Sequence, residues 1–382
     1  MIAEPDHLIL MDVGPIHRLE ARSGLAPPGS LGVGRWLLAL LAWLPQPVLI
    51  ALAGGAERNS LLKLWAGDFT NHARLLLAIP LLLAGEHFVE ARVTIASRRF
   101  GAELVEPADQ AYFHSLIARL NNLADSNLVE VVLVLAAYLL VLLRIVTGFQ
   151  VHEDWFSTSA HAHLTAAGVW TAAVGLPLFI FLVLRWLWRY GLWVAFLWRM
   201  SRLRLHLVTT HPDRTGGLGF LAATQLPFGT LPFVISAIIA STWAKEVHWY
   251  GADLMTKKAA AVLLLVAVLL IFVLPLVMFA PLLWRLRITG VERYYNFSTS
   301  LGRAFDQKWL PPSTSESALS SDASFLTDAG SAHDRVYRVR PVPFGYRLIA
   351  YYVVFTAAPM LFPLSMSFPI WELAKKLMKA LA

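Results

Sequence analysis

The chain has 382 residues, 57% of them hydrophobic and 15% charged, with a formal net charge of +7 and no cysteine. Soluble domains carry roughly 25% charged and 45–50% apolar residues, so the composition excludes an ordinary soluble domain, a disordered chain, a disulfide scaffold and any thiolate metal site. A mean hydropathy of +0.58 fits a polytopic membrane protein. The arginines behind the positive charge lie beside apolar runs, as membrane-flanking loops do, and no nucleic-acid partner is expected.

The amino terminus, MIAEPDHLILMDVG, has no basic stretch leading into a short apolar run. No cleaved signal peptide is expected, and the first apolar run serves as the insertion signal. A helix needs about 20 mostly apolar residues to cross the ~30 Å hydrocarbon core. Seven runs qualify, at 36–54, 73–93, 127–147, 164–186, 219–242, 259–284 and 346–369. In lipid their backbone groups find partners only within the segment, which makes them helices. The run from Ala259 to Phe279 has none of the alternation a barrel strand requires.

The predicted fold class is therefore all-α: a polytopic transmembrane helical bundle of about seven spans, six to eight at the limits. Residues 1–284 form the bundle, 285–345 a cytoplasmic helix plus a Ser-rich linker, and 346–382 the last span with an amphipathic tail. The 148–163 loop holds no Lys or Arg, whereas Arg185, Arg189, Arg199, Arg202, Arg204 and Arg214 crowd the end of the fourth span. The positive-inside rule then places the amino terminus in the cytoplasm. Pro359, Pro363 and Pro369 leave open whether the last segment crosses or re-enters.

Ionisable groups inside spans come first as candidates, because each is costly in lipid unless paired or wet. The second span contains GEHFVE, with Glu86, His87 and Glu90. Glu86 and Glu90, four apart, share one helical face at about 6 Å. Glu130 opens the third span at similar depth, so the three acids suit an ion or proton site. The alternative is pairing with arginines, of which Arg92, Arg98 and Arg99 are near in sequence.

The next loop holds His152, His161 and His163 beside Glu153 and Asp154, a loose candidate for zinc or copper. From Arg185 to Arg204, Trp186, Trp188, Trp193 and Trp198 interleave with Arg185, Arg189 and Arg199. That pattern predicts an interfacial belt on anionic lipid. HPDRTGGLGF follows, from His211 to Phe220. Gly216, Gly217 and Gly219 allow a tight turn whose amides would hold an anion or lipid headgroup, with Arg214 adding charge and His211 and Asp213 available as acid and base. The plain alternative is a turn and helix cap. The pattern is neither a P-loop nor a dinucleotide fingerprint.

Pro227, Pro232, Pro275 and Pro281 are expected to break helices next to a cavity. Beyond the sixth span, Tyr294, Phe297, Leu301, Phe305 and Trp309 make one apolar stripe, the expected surface for a membrane partner or a second copy. Pro311 and Pro312 stop that helix, and residues 313–324 read as linker.

At His211–Leu221 (HPDRTGGLGFL), Phe305–Leu310 (FDQKWL), the SSDASFLTDAG…RVRPVPF stretch and GPIHRLEARSGL at Gly14–Leu25, the chain resembles a family of uncharacterised bacterial inner-membrane proteins. The resemblance implies multi-span architecture and an inner-membrane location. It brings no activity or cofactor, so no residue roles carry over. The reading that follows is a transporter or channel for a small ion or solute using the intramembrane carboxylates. Two others stay open: a membrane enzyme acting on a lipid or phosphorylated carrier at the cytoplasmic face, and a non-catalytic scaffold or complex subunit. No cofactor is called for, and the residues lean away from an enzyme.

Overall fold

The computed structural model describes residues 6–14, 33–53, 58–147, 155–158, 163–309 and 319–367. These are almost entirely helical, with one two-residue antiparallel ladder pairing Ser157–Thr158 with His163–Leu164. The principal helices are α1 (Val33–Trp43), α2 (Pro45–Leu52), α3 (Ile79–Arg99), α4 (Gln110–Ala124), α5 (Asn127–Val146), α6 (Leu176–Met200), α7 (Thr230–Tyr250), α8 (Lys258–Phe272), α9 (Ala280–Trp309), α10 (Leu319–Tyr337) and α11 (Tyr346–Ala357).

Among the described residues five helical runs are long and apolar enough to cross a membrane: Asn127–Val146, Ala166–Met200, Phe220–Tyr250, Leu254–Lys308 and Tyr346–Met366. A helical bundle of a multi-pass membrane protein fits them. Of the other two expected spans, the first is a shorter apolar run, Trp36–Leu52, interrupted where Pro45 opens α2. The second is α3, which buries Leu82, Leu83, Glu86, Val89, Glu90, Val93 and Ser97. Its buried positions recur every three or four residues and its acids face inward, so α3 is a helix of the bundle's interior.

Helix α5 shows the opposite pattern. Glu130, Ala137 and Val141 are its buried residues, while Leu128, Val131, Leu135, Leu139, Leu142 and Val146 are exposed, Leu128 at 73%. A helix that leaves such residues outside suits a lipid-facing position. Glu130, in its first turn, thereby fixes the level of the inward-facing charges: one turn inside the end of the lipid-facing wall.

Two of the four proline breaks, at Pro275 and Pro227, are sealed. Pro275 has no N–H for the Ile271 carbonyl four residues back, and Tyr190 Oη donates to that carbonyl at 2.7 Å. The next carbonyl, Phe272, accepts from Gln225 Nε2 at 2.7 Å, and Gln225 Oε1 accepts from Trp193 Nε1 at 3.0 Å. Around Pro227 the carbonyls of Gln225 and Leu226 accept from Tyr352 and Tyr351 at 2.7 and 3.0 Å. In place of the expected cavity, buried side chains take up the freed backbone groups, as lipid demands.

Two more expectations change. Arg185, Arg189, Trp186 and Trp193 do not form an interfacial belt: all four are buried. The physical reason is length, since the run Ala166–Met200 has 35 residues, or about 52 Å at 1.5 Å per residue, and these side chains lie in its middle. Trp198, near its end, is exposed beside Arg199 and Arg202. Beyond the bundle, residues 319–337 form a helix, although the sequence reads as linker up to residue 324. Leu326, Ala329, His333 and Val336 recur at helical spacing, and Val336 lies against Gly290 of α9. Gly290 lies one turn before the expected partner stripe, of which Tyr294, Leu301 and Phe305 are half-buried and Phe297 is exposed. The Trp309 side chain lies outside the described residues, as does the tail after Ser367.

Candidate functional site

Helical periodicity builds the site. Glu86 and Glu90 on α3 are four apart, as are Arg185 and Arg189 on α6, so two inward faces meet with opposite charge. Arg185 Nη1 lies 3.2 Å from Glu86 Oε1, and its Nε lies 4.0 Å from Glu130 Oε1. Arg189 Nη2 reaches the same Glu130 oxygen at 3.6 Å. Both arginines are 1% exposed. Glu86 and Glu130 thus meet Arg185 and Arg189 in one network of four charges, where the sequence suggests Arg92, Arg98 and Arg99 as partners. Among the described residues Arg185 makes ion-pair contacts only: none of its three guanidinium nitrogens has an acceptor there in hydrogen-bonding geometry.

Glu90 faces a different partner, the chain's own beginning. Residues 7–14 run without regular structure into the bundle, and Leu8, Leu10 and Met11 are fully buried there. Such a segment needs a donor or acceptor for each peptide group, and the surrounding helices supply them. Glu90 Oε2 accepts from the amides of Leu10 and Met11 at 2.9 and 2.6 Å. Ser97 Oγ accepts from Leu8 N at 3.0 Å, Asn121 Oδ1 from Ile9 N at 2.9 Å, and Asp125 Oδ1 from Gly14 N at 2.8 Å. In the other direction Arg189 Nη2 donates to the Val13 carbonyl at 2.7 Å, and Asn121 Nδ2 to that of His7 at 3.1 Å. Gly14 sits at φ +104°, against the Glu130 carboxylate. The acids therefore line a space that residues 8–14 fill.

Sequence reasoning missed Arg185, Arg189 and the 7–14 segment. The signal was the matched four-residue spacing in GEHFVE and RWLWR, together with the apolar LILM run at the start. His87, between the two acids, stands apart from the network: it is half-buried and its ring meets Phe88 edge-on.

The HPDRTGG turn holds no free amide cradle. The Asp213 carboxylate accepts from the amides of Thr215 at 2.8 Å, Gly217 at 3.1 Å and Gly219 at 2.8 Å. His211 Nδ1 stands 2.8 Å from the same carboxylate. Gly216 and Gly217 adopt positive φ, and Arg214 is the one non-glycine residue among those described that does so. Burial alone would raise the Asp213 pKa, but the amides of Thr215, Gly219 and Gly217 outweigh it and hold the carboxyl below its ordinary 3.8.

A depressed carboxyl stabilises the fold above its unfolded pKa, and that contribution is lost as pH falls through the lower folded value. Asp213→Ala is expected to cost about 1.5–3 kcal/mol at neutral pH, the worth of hydrogen bonds to a charged acceptor. Thermal unfolding in detergent followed by tryptophan fluorescence checks it, and the gap to wild type should close only as the pH falls below the ordinary carboxyl value of 3.8. An equal gap in acid would mean that the carboxylate charge does not hold the turn.

The expected metal ligands His152 and His161 lie outside the described residues, as does the side chain of His163. Among the described residues no group of three or more His, Asp or Glu is placed to hold a metal ion. No family model matches the chain, and no curated protein or solved structure matches it.

Proposed function

We propose that this chain is a multi-pass bacterial inner-membrane protein that moves a small ion or solute, and that its amino-terminal segment holds the pathway closed. The observation that carries the proposal is the Arg185 guanidinium, 1% exposed between Glu86 and Glu130 yet without one hydrogen bond of good geometry to any described residue. A network kept for stability alone would satisfy every donor or be replaced by apolar packing, which is often as stable. Buried charges that hold one another loosely are free to exchange partners, as a conduit requires. Non-helical backbone at this depth also fits a pathway, since it is tolerated where protein encloses it or water reaches it. The positive-inside rule supports a cytoplasmic position for the charged end of α5, and in this reading residues 8–14 cover the cytoplasmic entrance.

Flux into proteoliposomes tests this. The full chain is compared with the double variant Leu8→Asp, Leu10→Asp, which puts two charges where the segment is fully buried, each vesicle set being challenged in turn with proton, sodium, potassium and chloride gradients. Slow flux in wild type and severalfold faster flux of one ion in the variant is the expected result. Adding Glu130→Gln to the double variant should then change the rate for that ion. If the segment is displaced and no ion passes, transport is the wrong class and a non-catalytic membrane subunit takes its place.

A further inference from the structure

A second polar site lies apart from the buried network. Pro212, Asp213, Arg214, Arg340, Tyr346 and Arg347 wall an open cavity of about 520 Å³ where the HPDRTGG turn meets the start of α11. The turn and the chain before α11 are locked together, since Arg340 N donates to the Arg214 carbonyl at 2.8 Å. That bond and the Asp213 turn keep Arg214 at φ +59°, a conformation that costs a non-glycine residue about 1–2 kcal/mol. Strain of this kind collects at binding sites. Gly345 gives the Arg340 guanidinium its place, because a Cβ there would stand 2.9 Å from Nη1.

Three arginines from three chain positions line one cavity, and none is within ion-pair range of a carboxylate among the described residues. The one acid in the wall, Asp213, already has both oxygens on backbone amides. Three positive charges against one occupied carboxylate leave the wall cationic. Guanidinium groups carry forked donors that match an anion with several oxygens, and phosphate is such an anion.

The surroundings supply the level. Tyr346 is 76% exposed, and Ile349, Val354 and Phe355 continue an exposed apolar face along α11. The cavity therefore opens beside the first turn of a lipid-facing helix.

We propose that Arg214, Arg340 and Arg347 bind a phosphate group, carried by an anionic lipid headgroup or by a soluble phosphate. The site is independent of the ion pathway. Its test is native mass spectrometry of the full chain in neutral detergent, titrated with phosphatidylglycerol, phosphatidylcholine or inorganic phosphate. Phosphatidylglycerol should bind more tightly than phosphatidylcholine. Arg347→Gln should weaken it about tenfold, and the triple change Arg214→Gln, Arg340→Gln, Arg347→Gln further still.

Arg338→Gln is the control, since this exposed side chain pairs with Asp334 at 2.8 Å and lies outside the cavity wall. It should leave binding unchanged. Competition by inorganic phosphate at similar concentration would identify a soluble source for the same site. Arg347 is exposed on the first turn of α11, so its single variant keeps the test open if the triple variant does not fold. Wild-type affinity in Arg347→Gln, or an equal loss in Arg338→Gln, overturns the proposal.

Discussion

Replacing Arg185 by methionine is expected to destabilise the folded chain by about 3–5 kcal/mol, the cost of leaving a buried charge without its partner. Glu86 lies 3.2 Å from Arg185 Nη1 and is itself buried, so the change strands its carboxylate without a partner inside the bundle. Glu130 suffers less, because Arg189 remains 3.6 Å away. The double variant Arg185→Met, Glu86→Gln removes one charge of each sign and should recover most of the loss. A thermal series read as the monodisperse fraction on size-exclusion chromatography separates the cases. If Arg185→Met alone costs about 1 kcal/mol or less, the value of an exposed pair, the pair is solvated and the network is not the buried one described.

That network also marks what local sequence can and cannot reveal. Periodicity places Glu86 and Glu90 on one face, and the antiparallel course of adjacent spans brings Glu130 to their level; both are local arguments, and Glu86 and Glu130 do meet, on the shared Arg185. Arg185 and Arg189 were legible only with the helix end known. Cut at residue 186, the span leaves them at a headgroup belt, whereas in the 35-residue run Ala166–Met200 they fall in its middle.

The 7–14 segment carries no periodic signal at all. Its bonds to Glu90 join residues about 80 positions apart, and nothing in LILMDVG names a partner so distant. The Asp213 turn is the opposite case, closing within six residues, and its glycines and cap could be read from the string itself. Composition misled at α10, where serines suggest linker while Leu326, Ala329, His333 and Val336 keep helical spacing.

Gly14→Ala should unseat the amino-terminal segment while leaving the bundle folded. Gly14 lies at φ +104°, and an added Cβ would run into Oε1 of Glu130 with Arg189 Nη2 close behind. Neither neighbour can give way freely, since both belong to the buried ion network. Strain of about 1–3 kcal/mol at such a position converts to roughly a tenfold or larger rise in the fraction of chains with the segment released. The absence of cysteine makes this measurable. Leu10→Cys reports on the segment and Leu83→Cys on the α3 interior, both sites being buried in the wild type.

In inverted membrane vesicles, a membrane-impermeant maleimide should label Leu10→Cys slowly, and about tenfold faster or more once Gly14→Ala is added. Leu83→Cys should stay protected in both backgrounds if release is local. Labelling of both sites together would mean that the bundle itself has opened, so the segment would be part of the core and not a closure over it. Equal, slow labelling at Leu10→Cys with and without Gly14→Ala would mean that the contact with Glu130 yields, and the amino terminus would lose its claim to hold the pathway closed. Release confined to residues 8–14 would instead leave Glu90 and Arg189 facing an open entrance with their backbone partners gone, the condition under which flux through the network should begin.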